Sequence, residues 1–150
     1  MVTICGNASV FKTNSQADLD NYKPSVENMR KIVALLYHDR KWHTPENIQE
    51  RYEASITPGA WEALSAARLR SPLHQVRSTT EEFVKKLSQL AIPLLIMSCE
   101  YDPLNQKDWD EQFQKIVPGS KIHRFKNSAH EPQIEEAEGF NEVLTEFLLS

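Results

Sequence analysis

Glycine is scarce in this chain, with four among 150 residues. A loop that cradles phosphates needs glycines close together so that backbone N–H groups can approach the anion. Gly6, Gly59, Gly119 and Gly139 stand far apart, which excludes a nucleotide-binding loop of that kind. Cysteine is scarcer still, with Cys5 and Cys99 alone. Both lie in apolar, strand-like contexts and read as buried free thiols of a reducing cytoplasm, ahead of a disulfide or metal site. Positive charge is not in excess: 17 Lys and Arg against 21 Asp and Glu give a formal net charge of −4, so no field for nucleic acid is present. The longest apolar run, "AIPLLIM", is strand-sized and far short of a membrane span. The opening "MVTICGNASV" has neither a positive leader nor a long apolar core and does not read as a signal peptide. The expectation is a cytoplasmic protein without cofactor or metal, without nucleic acid and without membrane.

What is present is ordinary for a globular domain: 40% hydrophobic and 25% charged residues, and length enough to bury one core. "MVTIC" is β-rich and runs into the turn-like "GNAS". "SVENMRKIVALLYHD" then places Val26, Met29, Ile32, Val33, Leu36 and Tyr37 at helical spacing behind Ser25 as N-cap. "TPENIQERYEAS" and "TPGAWEALSAARL" each begin with a Thr cap and a Pro in the first turn, and "TEEFVKKLSQL" begins with acids that favour a helix N-terminus. From Ile92 the texture changes. "IPLLIMSCEYDP" reads as a fully buried strand, "NQKDWDEQFQKIVPGS" as a helix and "KIHRFKN" as a second strand. "EEAEGFNEVLTEFLLS" reads as a last helix with Phe140, Val143, Leu144, Phe147 and Leu148 on one face. Strand, helix, strand, helix implies a parallel α/β sheet. The chain divides into core pieces at 1–24 and 76–150 around a helical insert at 25–75.

In such sheets chemistry collects where the strands end. Asp102 follows one predicted strand and His130 the next, so their side chains are expected on one rim. An aspartate that accepts the Nδ1 proton of a histidine fixes its tautomer and stabilises the imidazolium formed during general-base work. His38, His43, His74 and His123 have no such setting and read as surface residues. Arg51, in "QERYE", could pair with Glu50 or another nearby acid.

The stretches "IPLLIMSCEYDPLN" and "NSAHEPQIEEAEGFNEVLTEFL" resemble the acid loop and the histidine loop with last helix of the α/β hydrolases, whose chain order is Ser, Asp, His. Ala129 stands where that family commonly has Gly, and Ala137 where it often has Pro. The helices between resemble the lid of the hydrolases that cleave meta-ring-fission products, with "NIQERYEAS" matching a lid helix. The resemblance covers most of the chain. It implies the C-terminal part of an α/β-hydrolase fold, a three-stranded parallel half-sheet with flanking helices and a helical lid. By the same resemblance Asp102 orients His130, His130 serves a serine nucleophile, and Arg51 meets a substrate carboxylate. Glu131 departs from the aromatic that many ring-fission enzymes carry after the histidine, and this leaves ester, epoxide and halide chemistry open, the last two with an Asp nucleophile that is equally absent.

No G-x-S-x-G elbow occurs in the sequence. Gly6-Asn7-Ala8 is the nearest approach, but a helix should follow an elbow directly, and "VFKTNSQADLDNYKP" is polar and irregular. "MVTIC" is therefore the strand before the lid, and Ser9 a loop serine. A triad without its nucleophile loses several powers of ten in rate. Three expectations follow: a fragment or subunit of a hydrolase for a small carbonyl compound, completed by a second chain; self-association through an exposed N-terminal edge strand; or a non-catalytic half-fold that binds, regulates or does nothing.

Overall fold

The computed structural model describes residues 1–6, 13, 15, 19, 22–60, 63, 80–89 and 92–150. Three parallel strands form its sheet in the order β1 (Val2–Ile4), β2 (Leu95–Cys99), β3 (Lys121–Phe125). Val2 lies opposite Leu95, and Leu95 opposite Lys121, so all three strands start in step, and β2 and β3 also end in step. β2 is buried at every position, as a strand covered on both faces must be. Its side chains alternate between two apolar layers. Leu95, Met97 and Cys99 pack with Cys5, Phe125 and Phe140 on one face, against helix α6 (Ala137–Leu149). Ile96 packs on the other face with Leu87 of α3 (Thr80–Ser88) and with Trp109 and Phe113 of α4 (Trp109–Ile116).

The helical pair α1 (Val26–Leu36) and α2 (Pro45–Ile56) has its own apolar cluster of Met29, Val33, Tyr37 and Ile48. Both helices start as their sequences demand. Ser25 Oγ accepts from Asn28 N at 3.1 Å, and Thr44 Oγ1 accepts from Asn47 N at 3.2 Å with Pro45 in the first turn. A 3-10 turn at Arg40–Trp42, which the sequence pattern does not announce, joins them.

Three expectations change. The N-terminal edge strand is only three residues long, because Cys5 takes a left-handed φ of 46° and turns the chain away. The last helix stands where it is expected, as α6, but a short helix α5 (Pro132–Glu135) precedes it and the two are separated at Glu136 (φ −124°, ψ 47°). Glu136 breaks the run because its carboxylate accepts from Asn127 N at 2.9 Å and from Ser128 Oγ. Leu148 is 67% exposed, while Phe147 beside it packs against the β2 layer. The helix expected from "TPGAWEALSAARL" falls mostly outside the described residues, as do His74, Ser9 and the Asn7-Ala8 pair. Among the described residues no helix is long and apolar enough to cross a membrane.

Candidate active site

β2 and β3 are parallel neighbours, with Cys99 opposite Phe125, so the turns that follow them emerge side by side. Glu100 N donates to Phe125 O at 2.9 Å and Tyr101 N to Ser128 O at 3.2 Å, which locks the two turns together. Across this seam His130 Nδ1 meets Asp102 Oδ2 at 3.0 Å. The Asp102 side chain is 1% exposed and that of His130 29%. The carboxylate is further held by Leu104 N at 2.9 Å and by Asn105 Nδ2 at 2.7 Å. Asn105 Nδ2 also donates to Cys5 O at 2.8 Å, so the left-handed turn after β1 is tied to the same acid. The carboxylate accepts the Nδ1 proton, which leaves Nε2 as the free ring nitrogen.

The histidine loop is held from its far side. Ala129 N donates to Glu135 Oε2 at 2.7 Å, and Glu135 Oε1 accepts from His38 N and Asp39 N, each at 2.7 Å. His130 N donates to Leu36 O at 3.0 Å, joining the loop to the end of α1. Glu135, Glu136 and Asn105 were not singled out in the sequence. Their only trace there is composition, two adjacent glutamates after a histidine and an Asn three residues after an Asp. Nothing in that says which backbone groups they reach.

His130 opens on a cavity of about 550 Å³ between the sheet rim and the helical pair. Met29, Ile32 and Leu36 give it apolar walls, and Arg51 and Glu131 give it charge. Arg51 projects from α2, but its acid is neither Glu50 nor another neighbour in its helix. Its Nη2 lies 3.1 Å from Glu131 Oε2, 80 residues along the chain. Tyr37 OH donates to the same oxygen, and the guanidinium lies 4.8 Å over the Tyr37 ring. Of the residues predicted from sequence, Asp102 and His130 are thus brought into contact, and Arg51 shares the cavity with His130.

Two groups near the site are disqualified as nucleophiles. Cys5 Sγ lies 3.4 Å from Cys99 Sγ, and both thiols are buried and free. The hydrogen bond with Cys99, then burial, then the charges of Cys99 and Asp102 push the Cys5 thiol far above its ordinary range, so it stays protonated. Ser98 Oγ is buried and donates to Asp110 Oδ2 on the opposite side of β2. Cys5, Asp102 and His130 offer three donor atoms within 4.8 Å of one another, a spacing a metal could use. The imidazole and carboxylate of that group already satisfy each other, which is the arrangement of an acid–base pair. The other described histidines do other work: His38 stacks on Tyr101 at 3.7 Å, His43 Nε2 meets Tyr37 O at 2.9 Å, and His123 lies edge-on to Phe125.

No family model matches the chain. It is 28% identical over 127 residues to the 2-hydroxy-6-oxo-2,4-heptadienoate hydrolase of Pseudomonas putida, which covers 85% of this chain and 46% of that protein. It is 29% identical over 127 residues to a 2-hydroxymuconate semialdehyde hydrolase of the same species, covering 85% of this chain and 45% of the relative. Among solved structures, the meta-cleavage product hydrolase CumD from Pseudomonas fluorescens superposes with a TM-score of 0.78 at 27% identity, over 99% of this chain and 54% of that one. The carboxylesterase CesB from Bacillus subtilis shares the fold, with a TM-score of 0.68 at 16% identity over 98% of this chain and 50% of that one. The chain spans about half the length of the curated relatives it matches. Its three parallel strands, flanking helices and neighbours give it part of the α/β-hydrolase fold, and the homologues it resembles are the meta-cleavage product hydrolases.

Proposed function

We propose that this chain supplies the acid and base of a serine hydrolase acting on a small carbonyl compound. The reading is carried by the His130–Asp102 contact of 3.0 Å at the mouth of an apolar cavity. Asp102 orients the ring, Nε2 of His130 takes the proton of a serine that attacks the carbonyl, and the same proton passes to the leaving group. The bond cleaved is the C–C bond of a ring-fission product or an ester. The helical pair acts as a lid over the cavity, with Arg51 on its inner wall. The sequence holds no G-x-S-x-G, so the serine stands on residues outside it, which would pair with the outer edge of β1, where Ile4 is 41% exposed. Two copies pairing through that edge would give a dimer without a nucleophile.

The same absence favours a second reading, a half-fold that binds a ligand or partner without catalysis. Fluorophosphonate labelling of the purified chain, with an ester-hydrolysis assay and sedimentation, tests both. We expect no serine to label and no turnover from the chain alone. A labelled serine, or an active and monodisperse monomer, would overturn the assignment of the nucleophile to residues outside this sequence. Recovery of turnover on adding a nucleophile-bearing partner, and its loss in His130→Ala, separates the enzymatic reading from the binding one.

A further inference from the structure

We infer that Glu131 turns this cavity against carboxylate-bearing ligands and makes neutral carbonyl compounds its substrates. The inference rests on the reading above that the cavity holds the substrate. An arginine in an otherwise apolar cavity ordinarily recruits an anion, because a guanidinium out of bulk water gains most from a bidentate carboxylate. Here that role is already taken. Glu131 Oε2 holds Arg51 Nη2 at 3.1 Å and also receives the Tyr37 hydroxyl.

The pair is neither loose nor far from the reacting centre. Side-chain exposure is 30% for Arg51 and 20% for Glu131. Glu131 follows His130 directly, and the backbone there is pinned by His130 N to Leu36 O at 3.0 Å and Ala129 N to Glu135 at 2.7 Å. The backbone that carries Glu131 is therefore fixed beside the base. Among the described residues lining the cavity, only Arg51 and His130 can carry positive charge, and Asp102 already holds the histidine Nδ1. A carboxylate entering this space meets Glu131 as a like charge. At Arg51 it finds a guanidinium whose charge is already met by an acceptor that has two donors. A neutral ester, amide or ketone leaves the pair intact and needs only the apolar walls. Specificity arises here from what the site repels as much as from what it attracts.

The test is binding, so it needs no turnover and uses the chain as it exists. Isothermal titration compares sorbate, a six-carbon dienoate, with sorbamide, which has the same skeleton without the charge. We expect the wild-type chain to bind sorbamide at least about tenfold more tightly than sorbate. Glu131→Gln removes the charge and keeps an acceptor for Tyr37. It should tighten sorbate about tenfold and leave sorbamide within about twofold, and adding Arg51→Met should erase the gain. Equal affinities in the wild type, or no change for sorbate in Glu131→Gln, would overturn the inference and leave the cavity as a ligand site. If neither compound binds, the cavity is not the substrate site and both readings fall. Should Glu131→Gln not fold, the wild-type ranking of the two probes decides by itself.

Discussion

Two arginine–carboxylate pairs stand on different sides of the molecule and are built differently. Arg124, on β3, reaches Asp110 twice, through Nε at 3.0 Å and Nη2 at 2.7 Å. Asp110, 1% exposed, also takes the Ser98 hydroxyl and Glu111 N, so all its partners lie on β2, β3 and α4. Arg51, on α2, reaches Glu131 once, at 3.1 Å, inside a cavity. The first pair joins parts of the sheet layer that would otherwise leave a buried charge unmet. The second joins the helical pair to the histidine loop and borders empty space. The same chemistry therefore fastens one region and tunes the other.

Breaking the first pair should have the largest effect. Removing one partner of a buried ion pair costs about 3–5 kcal/mol, and the 34% exposure of Arg124 lets water repay part of that. We expect Arg124→Met to cost about 2–3 kcal/mol by urea unfolding, with the slope unchanged. A cost below about 0.5 kcal/mol would place this pair with ordinary surface pairs and dissolve the contrast.

The pair also sets a direction for pH. Burial alone would raise the Asp110 carboxyl, but the hydrogen bonds from Arg124, Ser98 and Glu111 N and the Arg124 charge outweigh it and hold the group below its ordinary value. A depressed folded-state pKa stabilises fully above the unfolded value of about 3.9, and that stability is lost as the pH falls through the depressed value. Thermal melts should lose stability in that acid window. Asp110→Asn should start less stable at neutral pH and lose less on acidification. A wild-type slope retained in Asp110→Asn would assign the acid loss to other carboxylates.

The two regions also differ in how far the sequence discloses them. β2 was visible as an unbroken apolar run, because a strand covered on both faces has no polar side. Asp102 and His130 were visible because strand ends of a parallel sheet gather at one rim, so position alone brings them together. α1 and α2 showed their caps, since Ser25 and Thr44 act within three residues of themselves. The Arg51–Glu131 contact could not be read, being a matter of how helix α2 sits over a loop 80 residues away. Glu136 hid the break between α5 and α6 for the same reason. Its local pattern is helical, and only its reach back to Asn127 and Ser128 shows why the helix stops.

A local device in the helical pair gives an intermediate effect that sharpens the comparison. Thr44→Ala removes the acceptor for Asn47 N and should cost about 1 kcal/mol by urea unfolding. Because Pro45 still presets the first turn, α2 should keep its start, and circular dichroism should show unchanged helix content. A cost as large as that of Arg124→Met would mean that α2 holds the sheet together, contrary to its separate apolar cluster.

The smallest effect should come from Arg51→Met. The pair is a single contact with 30% and 20% of its side chains exposed, so the attraction is screened and much of the loss is recovered by water in the cavity. The cation over the Tyr37 ring adds about 0.5–1 kcal/mol at such a site, and the methionine stem keeps most of the packing on that ring. A double-mutant cycle of Arg51→Met with Glu131→Gln isolates the coupling, expected at about 0.2–1 kcal/mol. A weak coupling means the pair is retained in the cavity with little return in stability, which is what a specificity element requires. A coupling of about 3 kcal/mol would instead make it a second structural fastener like Arg124–Asp110, and the charge it places beside His130 would be a by-product of holding the two layers together.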